Sequence, residues 1–442
     1  MSGACTTAIL LGAYYYAWYG TGEHWAVFPR TWEPSMGQYN SSTRFVRDTH
    51  HRWGKEACIS FFATSWTGVG TRAPSKVDAR QPILGSCNLT DENGRYGVPR
   101  CIDADDRPVA LLNEQIYHVE GWENPMQWWN PLREIDDAFQ RNLDVEDGVP
   151  MVLLYEPGEL FTKGVKPEQI DFSLGDNEKI VEHHLLYAAD NIFNHPNYFR
   201  INGSPVLYLY LVRDYFNFVE PLANAIRKVE ERLGVSLFIV GDVIWWDPPL
   251  HRFPWVGYKA VNISAVTAYN LYDSAQPEKM NGAFPWHSAD LYSRFTAYID
   301  EYEMQVVPYV SPGYDDRKLR GMERPVIDRN NGVAYLNSWR QAGAVCSNQR
   351  KKDHPPLVMV NSFNEWHEGT QIESSLAFGE AFIPMTRELA AAYAVWKAPG
   401  DVWRAPGAED PPTQRYGVWG EGLPGLEEEV QLLGGLHWKR SS

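Results

Sequence analysis

Two carboxylates three residues apart, Glu365 and Glu368, stand in the segment Asn361-Ser362-Phe363-Asn364-Glu365-Trp366-His367-Glu368-Gly369. Cleavage of a glycosidic bond needs two carboxyl groups in different protonation states, one protonating the leaving oxygen and one activating a nucleophile. In an extended strand residues i and i+3 face opposite ways, whereas in a turn or a first helical turn they converge on one site. Spacing alone is a weak signal, because such glutamate pairs are abundant on solvated helix faces. Their setting among Asn, Trp and His, directly after the apolar run Leu357-Val358-Met359-Val360, makes them the leading candidates for acid and base.

Other candidates also follow apolar runs. Glu156 comes after Val152-Leu153-Leu154-Tyr155 and can bind sugar hydroxyls or tune the pair electrostatically, the alternative being a capped loop turn. Tyr314 precedes Asp315 and Asp316 in another such position. Tyr15, Tyr16, Trp18, Trp66, Tyr210 and Tyr269 are candidate substrate contacts, as are Asn364 and Trp366 inside the leading segment. Flat aromatic faces suit the apolar faces of sugar rings, and some of these side chains are expected to be plain packing. Glu182-His183-His184 and His50-His51 lie on helical patterns without zinc-type partner spacing, so core or surface histidines are expected and no metal site. No phosphate-cradling Gly-rich loop, nucleotide fingerprint or serine elbow is visible, and no cofactor is expected.

Eight strand-like runs must position these residues: Ile9–Tyr16, Cys58–Thr64, Pro150–Tyr155, Pro205–Leu211, Leu237–Gly241, Val261–Thr267, Gln305–Val310 and Leu357–Ser362. Helical patterns alternate with them. The clearest spans Phe216–Leu233, ended by Gly234; Leu132, Ile135, Phe139 and Leu143 form a second stripe; Ser288 is a candidate cap for a third; around Trp246–Val256 prolines interrupt the pattern. Continuous apolar strands alternating with helices predict a parallel sheet covered by helices, and eight of them predict a (β/α)8 TIM barrel with long loops at its C-terminal face. Residues 1–398 then form one catalytic domain with a long loop over 65–130, a separate small subdomain being the alternative, and 399–442 read as a Pro-, Gly- and Glu-rich tail.

Composition narrows the partner. A 44% hydrophobic chain with 18 Trp, 24 Tyr and 18 Phe can bury a core and leave aromatics over for sugars. A net charge of −16 argues against nucleic acid and anionic membranes and suits a neutral oligosaccharide or polysaccharide. Apolar stretches such as Val206–Val212 fall far short of the ~20 residues of a membrane span, and the first residues lack the basic region of a signal peptide. Cys87 and Cys101 bracket a turn-rich loop and can pair in an oxidising compartment. Four sequons, at Asn40, Asn88, Asn202 and Asn262, matter only in a secretory context; the last lies in an expected buried strand, and together they define no compartment.

The run Ser362-Phe363-Asn364-Glu365-Trp366-His367-Glu368-Gly369-Thr370-Gln371-Ile372-Glu373 resembles the signature of glycoside hydrolase family 99, the endo-α-1,2-mannosidases and mannanases. Tyr15-Tyr16-Ala17-Trp18-Tyr19, His24-Trp25, Gly37-Gln38-Tyr39, Ser65-Trp66, Glu156-Pro157 and Pro312-Gly313-Tyr314-Asp315-Asp316, then Arg329 and Gly332, follow in family order, so the resemblance covers roughly Ile9 to Trp396. It implies a (β/α)8 barrel and a retaining, metal-free endo-hydrolase of α-1,2-type mannosidic linkages that uses the substrate's own 2-hydroxyl. Glu365 would deprotonate that hydroxyl, which attacks the anomeric carbon, while Glu368 would protonate the departing oxygen and later activate water. Tyr155 stands where the family usually has His, Gly158 where it has an aromatic, and Leu211 where Asp is common after Tyr, positions that in the family touch the subsites. WbsX-like proteins, linked to polysaccharide biosynthesis and glycosyl transfer, share the Asn-Glu-Trp core but usually lack the Gln-Ile-Glu extension. They supply one alternative, and a non-catalytic carbohydrate-binding protein supplies another.

Overall fold

A computed structural model describes residues 5, 7–20, 25, 29–68, 132–157, 170–246, 253–272, 284–349 and 353–396, with the backbone of four short strands between 86 and 118. The barrel wall begins with β1 (Leu10–Tyr15) and β2 (Phe61–Trp66), joined by helix α1 (Arg44–Glu56). After β2 come β3 (Ser86–Asn88), β4 (Arg100–Ile102), β5 (Pro108–Leu112) and β6 (Gln115–His118), a separate antiparallel sheet in that order. The stretch read as a long loop thus carries a ladder of its own, while Trp122, Trp128 and Trp129 lie outside the described residues. Helix α2 (Leu132–Leu143) leads to β7 (Met151–Tyr155), α3 (Asn177–Asn191) and a hairpin of β8 (Arg200–Ile201) and β9 (Ser204–Leu209). Then follow α4 (Val219–Leu233), β10 (Phe238–Asp242), α5 (Trp255–Ala260), β11 (Ile263–Thr267) and α6 (Phe284–Ile299). The circuit ends with β12 (Gln305–Val307), β13 (Tyr309–Val310), α7 (Arg317–Arg320), α8 (Val333–Ser347), β14 (Leu357–Val360) and α9 (Phe382–Trp396).

The parallel strands run in the order β12-β11-β10-β9-β7-β2-β1-β14-β13. β12 and β13 are halves of one strand interrupted at Pro308, which has no N–H to give to a ladder. One half pairs with β11 and the other with β14, so this broken strand closes the (β/α)8 barrel. The strands are almost wholly buried on both faces, which is why they read as continuous apolar runs.

Local chemistry shifts several boundaries. Cys58, in left-handed backbone at φ 60°, turns the chain after α1, so the second strand starts at Phe61 rather than Cys58. Ser288 is no cap. It sits inside α6 and its Oγ donates back to the Phe284 and Pro285 carbonyls, while Pro285 occupies the first turn, where a missing N–H costs nothing. The Pro-interrupted fifth helix survives only as the six-residue α5. Asn262 lies exposed at φ 60° in the turn before β11 rather than in a buried strand. Cys5 and Cys58 form a disulfide that ties the chain before β1 to the end of α1, and the thiol of Cys346 is buried against the Leu357 carbonyl. Cys87 and Cys101 stand directly opposite in the β3–β4 register, though their side chains lie outside the described residues, as do residues 399–442. No helix among the described residues is long and apolar enough to cross a membrane.

Candidate active site at the strand ends

The residues after β14 form a closed turn. Ser362 N donates to the Thr370 carbonyl at 2.9 Å, the two hydroxyls meet at 2.8 Å, and Ser362 Oγ accepts the Glu365 N–H at 2.7 Å. Gly369 completes the turn at φ 66°, where a Cβ would lie 2.6 Å from the Trp32 ring and 3.0 Å from Asp315 N, so this position admits glycine alone. Arg329, buried against the rings of Trp32, Phe378 and Phe382, donates to the Gly369 and Gln371 carbonyls at 3.1 and 2.7 Å and fixes the turn from behind. The turn brings Glu365 and Glu368 together, as their spacing required.

The two carboxylates have different surroundings. Glu365 Oε1 lies 2.9 Å from His367 Nδ1 and 3.5 Å from the donating Tyr19 hydroxyl. Burial raises its pKa, the His367 charge and contact oppose the rise, and the neighbouring Glu368 adds to it. Burial alone would depress His367, but the Glu365 carboxylate outweighs it and lifts the imidazole above its ordinary value. Glu368 instead accepts from Tyr272 Oη at 2.6 Å and from Arg320 Nη1 at 3.2 Å, and Arg320 also reaches Asp316 at 2.9 Å. Arg324 fixes Asp316 and donates to Tyr314, whose ring stacks on Tyr272 at 4.1 Å.

Around the pair stand several of the predicted contacts. Tyr16 and Tyr269 join through their hydroxyls, Tyr210 packs edge-on against Tyr269 at 5.4 Å, and Trp18 stacks on His367 at 6.2 Å. Burial holds the hydroxyls of Tyr16, Tyr210, Tyr269 and Tyr272 well above the ordinary tyrosine range, so they are neutral donors. Burial pushes Glu156 up to about 8, with Ser65 opposing and the charges of Glu365 and Glu368 assisting, so this third carboxyl is protonated at neutral pH. Arg213 pairs with Asp242 at 2.6 Å and with Asn270 at 2.9 Å, and Asp242 accepts the Leu211 and Tyr269 N–H groups, tying together the chain after β9, β10 and β11.

Four predicted contacts are placed elsewhere. Strand alternation turns Tyr15 outward between its neighbours, where its hydroxyl meets His50 of α1 at 2.9 Å and its ring stacks on Phe62. Trp66 also faces the helices and donates to Asp136 of α2 at 2.8 Å. Asn364 clips the turn to β1, exchanging two 2.8 Å hydrogen bonds with the Tyr16 backbone, and Trp366 is fully buried with its Nε1 donating to Glu373 at 2.9 Å. Tyr155 points outward to His184 of α3 at 2.9 Å, so it does not reach this site, and Gly158 lies outside the described residues. His50, His51 and His184 are buried core histidines. Tyr19, Tyr272 and Arg320 were not singled out from sequence; Tyr272 had a signal in the pattern Tyr269-Asn270-Leu271-Tyr272 after the sixth wall strand, one turn beyond a chosen residue.

Comparison with known proteins agrees with this architecture. The family described as Glycosyltransferase WbsX matches residues 170–386. Glycoprotein endo-α-1,2-mannosidase-like proteins of Mus musculus and Homo sapiens are each 35% identical over 407 residues, covering 83% of this chain and 69% and 68% of theirs. Glycoprotein endo-α-1,2-mannosidase of Mus musculus is 21% identical over 404 residues, 83% of this chain and 68% of that protein. Among solved structures, the GH99 endo-α-mannosidase from Bacteroides thetaiotaomicron superposes with a TM-score of 0.54 at 15% identity, over 88% of this chain and 98% of that one. A glycoside hydrolase-like protein gives 0.60 at 16% identity, over 87% and 94%.

Proposed function

This chain belongs to the endo-α-1,2-mannosidase family of glycoside hydrolases, GH99, and from that premise we propose that it cleaves α-1,2-type mannosidic linkages within glycans or mannan, with retention of configuration. The observation that carries this reading is the turn after β14, which holds two buried glutamates side by side with unlike partners. Glu365 is the base: it removes the proton of the sugar 2-hydroxyl as that oxygen attacks the anomeric carbon. Glu368 is the acid: it delivers a proton to the glycosidic oxygen as the bond to the anomeric carbon breaks. In the second half Glu368 takes a proton from water as it opens the 1,2-anhydro sugar, and Glu365 returns its proton to the 2-oxygen. Two inversions at one carbon give net retention.

The surroundings of Glu365 suit its role. Burial makes an ionised Glu365 more basic, and the adjacent His367 favours its ionised form. Tyr272 orients Glu368, and Arg320, a third exposed, reaches it from the open side. Tyr16, Trp18, Tyr210 and Tyr269 offer ring faces and neutral donors to a sugar, protonated Glu156 offers another donor, and the buried Tyr314 backs Tyr272.

A second reading is transfer to a sugar hydroxyl instead of water, favoured by the WbsX match, which spans both glutamates. Incubation with α-1,2-linked mannan and glucosylated oligomannose glycans, with products sized by mass spectrometry and anomers followed by NMR, separates the readings. Hydrolysis predicts internal fragments released as the retained anomer with water incorporated. Inverted product, or release of single residues only, contradicts the proposal, and elongated acceptors without net hydrolysis establish transfer. The absence of turnover on any α-mannoside leaves a carbohydrate-binding protein.

A further inference from the structure

Asn202 and Gly203 form the two-residue loop of the β8–β9 hairpin, with Ile201 and Ser204 paired across it. Both loop residues have positive φ, 50° and 85°, the geometry that Asn-Gly supplies in a tight hairpin. Asn202-Gly203-Ser204 is also an acceptor sequon for N-linked sugar. Asn202 is exposed, no side chain among the described residues bonds its amide, and a Cβ built on Gly203 meets nothing within 4 Å.

The sequons with described side chains differ. Asn40 is half-buried, its Oδ1 accepts the Ser42 N–H at 2.8 Å, and it adjoins Tyr39, which bonds Glu373 beneath the catalytic turn. The Asn262 amide is exposed but donates to Glu230 at 2.9 Å. Asn202 also precedes its strand, which places it at the end of the barrel away from Glu365 and Glu368.

A second observation concerns where the chain matures. The Cys5–Cys58 disulfide closes across 53 residues, and such bonds form and persist in oxidising compartments. Cys87 and Cys101, opposite in the β3–β4 register, are placed for the same chemistry. In eukaryotic cells the oxidising entry compartment is also where sequons meet oligosaccharide donors.

We propose that Asn202 carries an N-linked oligosaccharide, displayed on the face of the barrel opposite the catalytic turn. The donor class is a lipid diphosphate oligosaccharide. The Asn202 Nδ2 forms a bond to the anomeric carbon, the sugar–phosphate C–O bond breaks, the lipid diphosphate departs, and the amide nitrogen loses one proton. A glycan placed there leaves the substrate cleft open.

The test is made on the full chain isolated from its own organism and digested without reduction. Treatment with peptide N-glycosidase in heavy-oxygen water should convert Asn202 to labelled aspartate well beyond the spontaneous Asn-Gly deamidation of an enzyme-free control, and the Cys5 and Cys58 peptides should emerge linked. S204A, expressed in the same cells, removes the sequon while keeping the Asn-Gly loop. It should lose the enzyme-sensitive mobility shift and retain the turnover of the parent chain. N202D, whose side chain tolerates left-handed φ, should do the same if S204A does not fold. Recovery of the native Asn202 peptide unmodified, with or without the disulfide, overturns the proposal, as does a mobility shift of unchanged size in both variants.

Discussion

Glu373 accepts from Tyr39 Oη at 2.7 Å and from Trp366 Nε1 at 2.9 Å and lies 3.2 Å from His50 Nε2, partners that are all buried. Glu365 and Glu368, earlier on the same loop, have a titratable imidazole and a partly exposed guanidinium among theirs. Three buried partners around a side chain closed off from solvent make Glu373 a strut. A carboxylate whose partner reaches in from the open side, as Arg320 does to Glu368, keeps the freedom that proton transfer requires. The family signature contains all three glutamates, and on the proposed function only their surroundings separate the strut from the acid and base.

The largest effect expected from that contrast is a split between activity and stability. E365Q and E368Q should each lower kcat/KM on an α-mannan by about 10²–10⁴-fold, the usual worth of a general acid or base, with the unfolding midpoint unchanged. E373Q should instead cost about 2 kcal/mol of stability in denaturant titration, because buried hydrogen bonds to a carboxylate are stronger than those to an amide. Loss of stability in E365Q equal to that of E373Q would erase the distinction.

A smaller effect concerns pH. As the proposed base Glu365 works ionised, so activity should fall as pH drops through its raised pKa, and His367 opposes that rise. H367Q removes the opposing charge, and the acidic limb of kcat/KM should move to higher pH; a limb that stays or moves lower denies His367 this role. The smallest effect lies on the alkaline side. Glu156 is neutral below about pH 8, and its ionisation above that adds a further negative charge beside the pair. E156Q stays neutral and should lack whatever alkaline decline the wild-type profile shows near pH 8, whereas a limb unchanged in E156Q assigns it to another group.

Much of this was legible from the chain. Continuous apolar runs placed every wall strand, and the convergence of Glu365 with Glu368 followed from reading their segment as a turn. What escaped depends on parity and long-range contact. Tyr15 and Tyr16 are indistinguishable by type, yet strand alternation sends one to the helices and the other to the cleft. Asn364 and Trp366 carry sugar-binding side chains but are consumed in building the turn. Tyr272 and Arg320 meet Glu368 only because strands distant in sequence are brought together, and no local pattern encodes that meeting. The Cys5–Cys58 pair was hidden for the same reason.

The assignment of base to Glu365 and acid to Glu368 is tested most directly by leaving-group dependence in the first turnover. Paired α-mannosides with a sugar leaving group and with an activated aryl leaving group would be mixed with each variant, and release followed before steady state. The aryl group departs without protonation, so E368Q should recover most of its first-turnover rate on that substrate while E365Q remains slow on both. Rescue of E365Q by the activated substrate, or equal loss in both variants on both substrates, contradicts the assignment.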